Sequence, residues 1–206
     1  MKKLIVPCLA LAFALVVPFG AVEASAAKAG GPAPTFTGTD NMGKTYALSD
    51  LKGKYVVLEW HNQGCPYVGK HYNSGNMQKL QREWTSKGIV WLTVISSAPG
   101  EQGYVTPEQS REYVQKHQAA PTAVLLDSSG EIGRKYDART SPHMIVIDPQ
   151  GIVIYNGAID DMPTTDLADV PDATNYVSAA LTDAMAGRPV QTPSTQPYGC
   201  NVKYAR

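Results

Sequence analysis

A cysteine between a glycine and a proline is the residue of this chain best suited to redox chemistry. Gly64-Cys65-Pro66 follows an apolar run at residues 55–60, typical of a buried strand, and precedes apolar residues at helical spacing over residues 77–84. Glycine permits a tight strand-to-helix turn, and proline is tolerated at the first helical position. Cys65 is therefore predicted at a helix N-terminus, where unpaired N–H groups and the helix dipole favour the nucleophilic thiolate.

The N-terminal segment has the pattern of a secretory signal peptide. Lys2 and Lys3 precede an apolar run over residues 4–17, and Ala24-Ser25-Ala26 provides a small-residue cleavage site. We expect residues 1–26 to be removed. The mature protein is then periplasmic or secreted and has no membrane span.

Signal cleavage would leave two cysteines. The chain contains three, and Cys8 lies inside the predicted signal peptide. Cys65 and Cys200 remain, in a compartment where disulfides persist. Residue 68, the fourth position of a Cys-x-x-Cys pattern starting at Cys65, is Val68. We therefore expect Cys200 to be the resolving partner of Cys65.

Length and charge predict one domain with appendages and exclude some partners. The chain has 206 residues, 43% of them hydrophobic, and a formal net charge of zero. That balance argues against nucleic acid or an anionic membrane surface as partner. We expect a domain over residues 27–186 and an extended tail over residues 187–206, because the tail carries Pro189, Pro193 and Pro197 without any hydrophobic periodicity.

Alternating strand and helix patterns predict an α/β fold. The predicted order is β-β-β-α-β-α-β-α-β-β-α, which implies a central mixed sheet, parallel at its centre, flanked by helices. One long helix is expected between Cys65 and Gly88. The capping pattern of Thr106 and Pro107 indicates a helix start, and a last helix is expected to begin at Asp172.

This order and four short motifs resemble the thioredoxin fold, and more narrowly the redoxin group that includes the alkyl hydroperoxide reductase/thiol-specific antioxidant proteins. The resemblance covers residues 32–185. The motifs are Asp40-x-x-Gly43, the segment Leu48-Ser49-Asp50-Leu51-Lys52-Gly53-Lys54, Gly64-Cys65-Pro66 and Thr140-Ser141-Pro142.

The resemblance implies roles for two further residues. In that family the proline at the position of Pro142 is cis, packs beside the active cysteine and exposes backbone groups that pair with an incoming thiol substrate as a short strand. Glu59 stands where thioredoxins have a buried acid that shuttles protons. A carboxylate in an interior strand is expected to have a raised pKa and to suit general-base work.

The chain also departs from the family patterns. Val68 leaves the helix without a second thiol. Peroxiredoxins carry a threonine three residues before the cysteine, where this chain has Asn62, and an arginine near the late strand, where only Arg134 and Arg139 are nearby. Neither family mechanism therefore transfers unchanged.

Three functions remain open from the sequence. The first is a thiol-dependent oxidoreductase without cofactor, using Cys65, Cys200, Glu59 and Pro142 on a thiol, disulfide or peroxide substrate, with an external thiol as reductant. The second is a copper or zinc site formed by Cys65 with His61, His71 or His143. The third is a non-catalytic domain with a static Cys65–Cys200 disulfide.

Overall fold

The computed structural model describes residues 27–205, so the predicted signal peptide lies outside the described residues. A five-stranded mixed sheet organises the chain. Its strands are β3 (Val56–Trp60), β4 (Val90–Ile95), β5 (Ala123–Leu126), β7 (His143–Ile147) and β8 (Val153–Gly157). They lie in the order β5-β4-β3-β7-β8 across the sheet. β3, β4 and β5 are parallel, whereas β7 is antiparallel to both β3 and β8.

Shorter strands and the helices complete the fold. Two small antiparallel pairs are β1 (Thr37–Thr39) with β2 (Thr45–Ala47), and β6 (Thr140–Ser141) with β9 (Cys200–Asn201). The helices are α1 (Pro66–Asn73), α2 (Asn76–Ser86), α3 (Pro107–His117), α4 (Glu131–Lys135) and α5 (Tyr176–Met185), with 3-10 turns at Leu48–Leu51 and Leu167–Asp172. Within residues 27–205, no helix combines the length and the apolar character that a membrane crossing requires.

The central strand β3 contributes side chains to two apolar clusters, one on each face of the sheet. Val56, Leu58 and Trp60 belong to the cluster on one face of the sheet. Val57 belongs to the cluster on the other face, together with Cys65. Successive side chains of a strand point to opposite faces, so this division follows from the alternation of β3. All five residues of the strand are buried.

Two helix predictions are wrong in their details. The helix expected to run from Cys65 to Gly88 is broken into α1 and α2 at Gly75, whose φ of 76° favours glycine and interrupts the helical path. The last helix begins at Tyr176 instead of Asp172, because the Asn175 side chain accepts from the backbone N–H of Ser178 and forms the cap. The helix capped by Thr106 has the predicted start, with a reciprocal capping box to Gln109.

The C-terminal tail is extended and packs along the domain. Asn156 of β8 forms an isolated parallel bridge with Ser194. Further on, β9 pairs with β6, a contact for which the sequence gives no local signal. The tail therefore reaches the sheet end that carries Cys65.

Candidate functional site

Cys65 occupies the N-cap position of α1. Its φ and ψ of −90° and 123° are extended, Pro66 is the first helical residue, and the backbone N–H of Gly69 donates to its carbonyl at 2.9 Å. The thiol Sγ donates to the backbone carbonyl of Ser141 at 3.1 Å. Only 2% of the Cys65 surface is exposed. The sequence predicts this helix-terminal position, whereas the contact with Ser141 depends on tertiary structure.

Asn62 and Gln102 hold the turn that presents Cys65. The Asn62 side chain accepts from the N–H of Gly64 at 2.9 Å and donates to the carbonyl of Gln102 at 3.2 Å. The Gln102 side chain donates back to the carbonyl of Gly64 at 3.0 Å. An asparagine two residues before a glycine is a common turn former, so the sequence contains a signal for this role of Asn62 that the comparison with peroxiredoxins does not use.

The Ser141–Pro142 peptide bond is cis. Just before it, β6 pairs with β9 in the register Thr140 with Asn201 and Ser141 with Cys200. The resemblance implies that a substrate strand pairs with the backbone at this position. In this structure the chain's own tail pairs there instead. Ser141 therefore connects the three residues: it precedes Pro142, pairs with Cys200 and accepts the hydrogen bond from Cys65.

Cys200 is half-buried and, like Cys65, is a free thiol. Burial raises the pKa of Cys200 to about 11, and the hydrogen bond with neighbouring Cys65 and the repulsion that a thiolate there would exert add to the effect. A thiolate at Cys65 therefore opposes a second thiolate at Cys200. The two sulfurs share one small site, although the residues are far apart in the sequence.

A buried polar cluster anchors the tail on the N-terminal side of Cys200. The Tyr198 hydroxyl donates to the Asp160 carboxylate and lies 3.3 Å from His71 Nε2. Lys70, also buried, donates to the carbonyl of Met162 at 2.7 Å and lies 3.8 Å from Asp160. The Tyr198 ring also packs edge-on against Tyr67. Sequence reasoning missed this cluster, because its members come from α1, the loop after β8 and the tail.

His71 is neutral at ordinary pH in this cluster. Burial lowers the pKa of His71 to about 4, and the Lys70 charge adds to the effect while the Asp160 charge opposes it. Its Nδ1 lies 2.9 Å from the side-chain amide of Asn76. A proton on Nε2 then lets His71 accept from Asn76 and donate to Tyr198, a tautomer assigned from this network.

Other contacts anchor the tail after Cys200. The N–H of Val202 donates to the carbonyl of Arg139 at 2.9 Å, and the carbonyl of Lys203 accepts from the N–H of Ala98 at 2.8 Å. The Tyr204 hydroxyl donates to the carbonyl of Ala138 at 2.6 Å. Cys200 is therefore held from both sides.

The sequence-based prediction of a raised pKa for Glu59 is wrong. Burial alone would raise the pKa of Glu59, but the His61 imidazole and several hydrogen bonds outweigh it and leave the pKa below its ordinary value. The carboxylate accepts four hydrogen bonds, from Tyr72 at 2.7 Å, Gln81 at 3.0 Å, Trp91 at 2.7 Å and Thr93 at 3.1 Å. A carboxylate held in this way is stabilised as an anion, which is unfavourable for a general base.

The histidines proposed as metal ligands have other partners. His61 packs edge-on against the rings of Tyr72 and Tyr113, and His143 Nε2 lies 2.7 Å from the side-chain oxygen of Asn156. Over residues 27–205, no three His, Cys, Asp or Glu side chains are grouped as metal ligands. The geometry thus gives the copper or zinc alternative no support.

Comparisons with known proteins agree with the geometry. Residues 29–156 match the family described as AhpC/TSA. The thiol-disulfide oxidoreductase ResA of Bacillus subtilis (strain 168) is 27% identical over 125 residues, a match that spans 61% of this chain and 64% of that relative.

Solved structures show the same fold. A hypothetical protein from Sinorhizobium meliloti 1021 superposes with a TM-score of 0.73 at 19% identity, covering 88% of this chain and 97% of its own. The thioredoxin domain of a thiol-disulfide oxidoreductase from Bacteroides vulgatus gives 0.51 at 23% identity, covering 70% and 96%. The predicted thioredoxin-like fold is confirmed.

Proposed function

Because this chain belongs to the AhpC/TSA family, we propose that it is an exported thiol-disulfide oxidoreductase in which Cys65 is the nucleophile and Cys200 the resolving thiol. The observation that carries this proposal is the position of Ser141. Its carbonyl accepts from the Cys65 thiol at 3.1 Å, and its backbone pairs with Cys200. Both thiols therefore meet at one residue beside the cis-proline.

The proposed cycle is two thiol–disulfide exchanges. The Cys65 thiolate attacks one sulfur of a substrate disulfide, forms a mixed disulfide and releases the other substrate sulfur as a thiolate, which takes up a proton. Cys200 loses its proton, attacks the Cys65 sulfur and releases the second substrate sulfur as a thiol. The substrate disulfide is reduced to two thiols while Cys65 and Cys200 are oxidised to a disulfide. An external dithiol returns the enzyme to its starting state.

The arginines support a disulfide substrate over a peroxide. Arg139 is exposed and pairs with Asp137, and Arg134 is exposed and donates to the carbonyl of Ala205 at the end of the tail. Neither guanidinium forms a hydrogen bond with Cys65. Among residues 27–205, the hydrogen-bond partner of the Cys65 thiol is a backbone carbonyl and not the arginine that the resemblance associates with peroxide activation.

Mass spectrometry and turnover test the cycle. We expect air oxidation of the mature protein to give an intramolecular Cys65–Cys200 disulfide that dithiothreitol reverses. With insulin as disulfide substrate, Cys65→Ser should abolish turnover. Cys200→Ser should lower it at least tenfold and let a mixed disulfide accumulate on Cys65. Thr192→Ala, an exposed position of the same tail, serves as the control and should turn over normally.

Two results would overturn this proposal. Normal turnover by Cys200→Ser would leave Cys65 working with an external thiol alone. A Cys65–Cys200 bridge that resists dithiothreitol would instead favour the static structural disulfide, because labile bridges are the catalytic ones.

A further inference from the structure

The tail pairs with the backbone edge next to the cis-proline. Cys200 lies opposite Ser141 in an antiparallel pair, and the Cys65 thiol contacts the same Ser141. An extended peptide that adds a strand to an exposed backbone edge gains affinity from main-chain hydrogen bonds and specificity from side-chain subsites. The tail binds in this manner, but it is part of the same chain.

The position before Cys200 accepts only glycine. Gly199 has φ of 135°, in the region that favours glycine, and a Cβ built there would lie 2.1 Å from the carbonyl oxygen of Ser141. Backbone atoms line this contact, so no side-chain rotation relieves it. The close approach is therefore a feature of the docking site.

The neighbouring positions have defined surroundings. Tyr198 packs against Tyr67, and its hydroxyl reaches Asp160 and His71. On the other side of Cys200, Val202 packs partly buried against the apolar cluster that contains Trp60. The docked strand thus presents an aromatic residue, a glycine, a cysteine and, two positions later, an aliphatic residue.

We propose that the tail is a resident stand-in for the substrate strand, and that a partner polypeptide reaches Cys65 by replacing it at Ser141. The partner segment is an extended stretch with a glycine before its cysteine and an aromatic residue before that glycine. This inference rests on the proposed function and names the substrate class of the same site.

Strand replacement links resolution to product release. With the tail docked, Cys65 is only 2% exposed. After exchange, the partner cysteine is bonded to Cys65 and its strand lies along Ser141. The returning tail displaces the partner strand from Ser141 while the Cys65–partner disulfide is still intact. Cys200 then loses its proton and attacks the Cys65 sulfur, the Cys65–partner bond breaks, and the released partner thiolate takes up a proton and leaves as a thiol.

Alkylation of Cys65 in a Cys200→Ser background tests the docking site apart from the catalytic cycle. We expect iodoacetamide to label Cys65 slowly while the tail is docked. A polyethylene-glycol maleimide should label it more slowly still, because the larger reagent is excluded more strongly. Adding Gly199→Ala should accelerate labelling at least tenfold, because the new Cβ forces the strand away from Ser141. Gly187→Ala is the matched control, since Gly187 also has a positive φ of 70° in the tail but no atom near its Cβ position.

A synthetic peptide supplies the second arm. A peptide of residues 194–205 carrying the Cys200→Ser change should bind the Gly199→Ala/Cys200→Ser protein and slow the labelling of Cys65 again. The same peptide with Gly199→Ala should not protect. These measurements need no turnover, so they succeed or fail independently of the two-cysteine cycle.

The inference is overturned if Gly199→Ala labels as slowly as its parent, or if both peptides protect equally. The first result would mean that the tail does not control access to Cys65. The second would mean that the site does not select the glycine. Failure of the cycle, by contrast, would appear as normal turnover in Cys200→Ser with docking intact.

Discussion

Glu59 shows how a buried charge can be a structural element beside a candidate redox site. Its carboxylate accepts from side chains of α1, α2 and β4 while lying within the central strand β3. Charge-assisted hydrogen bonds of this kind are worth about 1.5–3 kcal/mol each, and losing one partner leaves others unpaired. Tyr72, one of the donors, belongs to the same apolar cluster as Cys65. We infer that Glu59 holds β3, α1, α2 and β4 together beneath Cys65 and does not transfer protons.

Replacing Glu59 should therefore cost stability in a pH-dependent way. Glu59→Gln removes the anion and places an amide N–H₂, itself a donor, against side chains that donate to the carboxylate. We therefore expect the free energy of unfolding to fall by about 2–3 kcal/mol at pH 7. The pKa of Glu59 is lowered in the folded state from 4.5, so its contribution is fully present above about pH 4.5 and is lost as the pH falls through the folded value. Urea unfolding of both proteins from pH 7 to pH 3 should show the difference shrinking at the acidic end.

Glu112→Gln, at an exposed position of α3, is the control for loss of one carboxylate and should change the unfolding free energy little. A Glu59 difference that grows as the pH falls would mean that the carboxyl is protonated in the folded protein. That outcome would restore the general-base interpretation.

At the scale of elements, the tail is held on both sides of Cys200, and the two tyrosine hydroxyls among its anchors differ in strength. Before Cys200, the Tyr198 hydroxyl donates to a buried carboxylate, Asp160. After Cys200, the Tyr204 hydroxyl donates to a neutral backbone carbonyl. Hydrogen bonds to charged groups are roughly twice as strong as neutral ones, so the Tyr198 anchor should dominate. The position of Cys200 then depends on α1 and on the loop after β8.

Tyr198→Phe tests this anchor while keeping the ring against Tyr67. Loss of a hydrogen bond to a charged group, about 1.5–3 kcal/mol, should shift the docking of the tail by about tenfold or more. We expect Cys200 to be alkylated correspondingly faster in a Cys65→Ser background. Tyr204→Phe is the matched control and should accelerate alkylation several times less. Equal effects of the two changes, or none, would contradict the ranking of the anchors.

At the scale of the whole molecule, a Cys65–Cys200 bridge would enclose most of the domain. It joins the start of α1 to a tail that lies beyond α5, the last helix. Closing a loop of more than about 100 residues removes chain entropy from the unfolded state and can stabilise a protein by about 3–5 kcal/mol. The redox state of the pair should therefore change global stability as well as activity.

Denaturant unfolding of the oxidised and the reduced protein measures the effect of the bridge on the free energy of unfolding. We expect the oxidised wild type to be more stable than the reduced form by about 3–5 kcal/mol. Cys200→Ser should match the reduced protein under both conditions. Equal stability of the oxidised and reduced wild type would show that forming the bridge strains the native site by as much as it constrains the unfolded chain.

Sequence patterns were sufficient to predict the fold class, the family and the helix-terminal position of Cys65. These depend on short-range patterns, such as the apolar run of β3, the Gly64-Cys65-Pro66 turn and the cap at Thr106. Such patterns report secondary structure because residues close in the chain set the local backbone conformation. The same reasoning missed the helix break at Gly75, where one residue with positive φ interrupts an otherwise helical pattern.

The surroundings of the two thiols depend on contacts between residues that are distant in the sequence. The sequence suggested Cys200 as a partner by elimination, but it carried no signal for the pairing with Ser141 or for the anchor at Asp160. It also gave the wrong direction for the pKa of Glu59, because burial can be read from a strand pattern whereas the donors come from distant elements. Pairings across the chain depend on how helices and strands pack, and that packing is not encoded in any one local pattern.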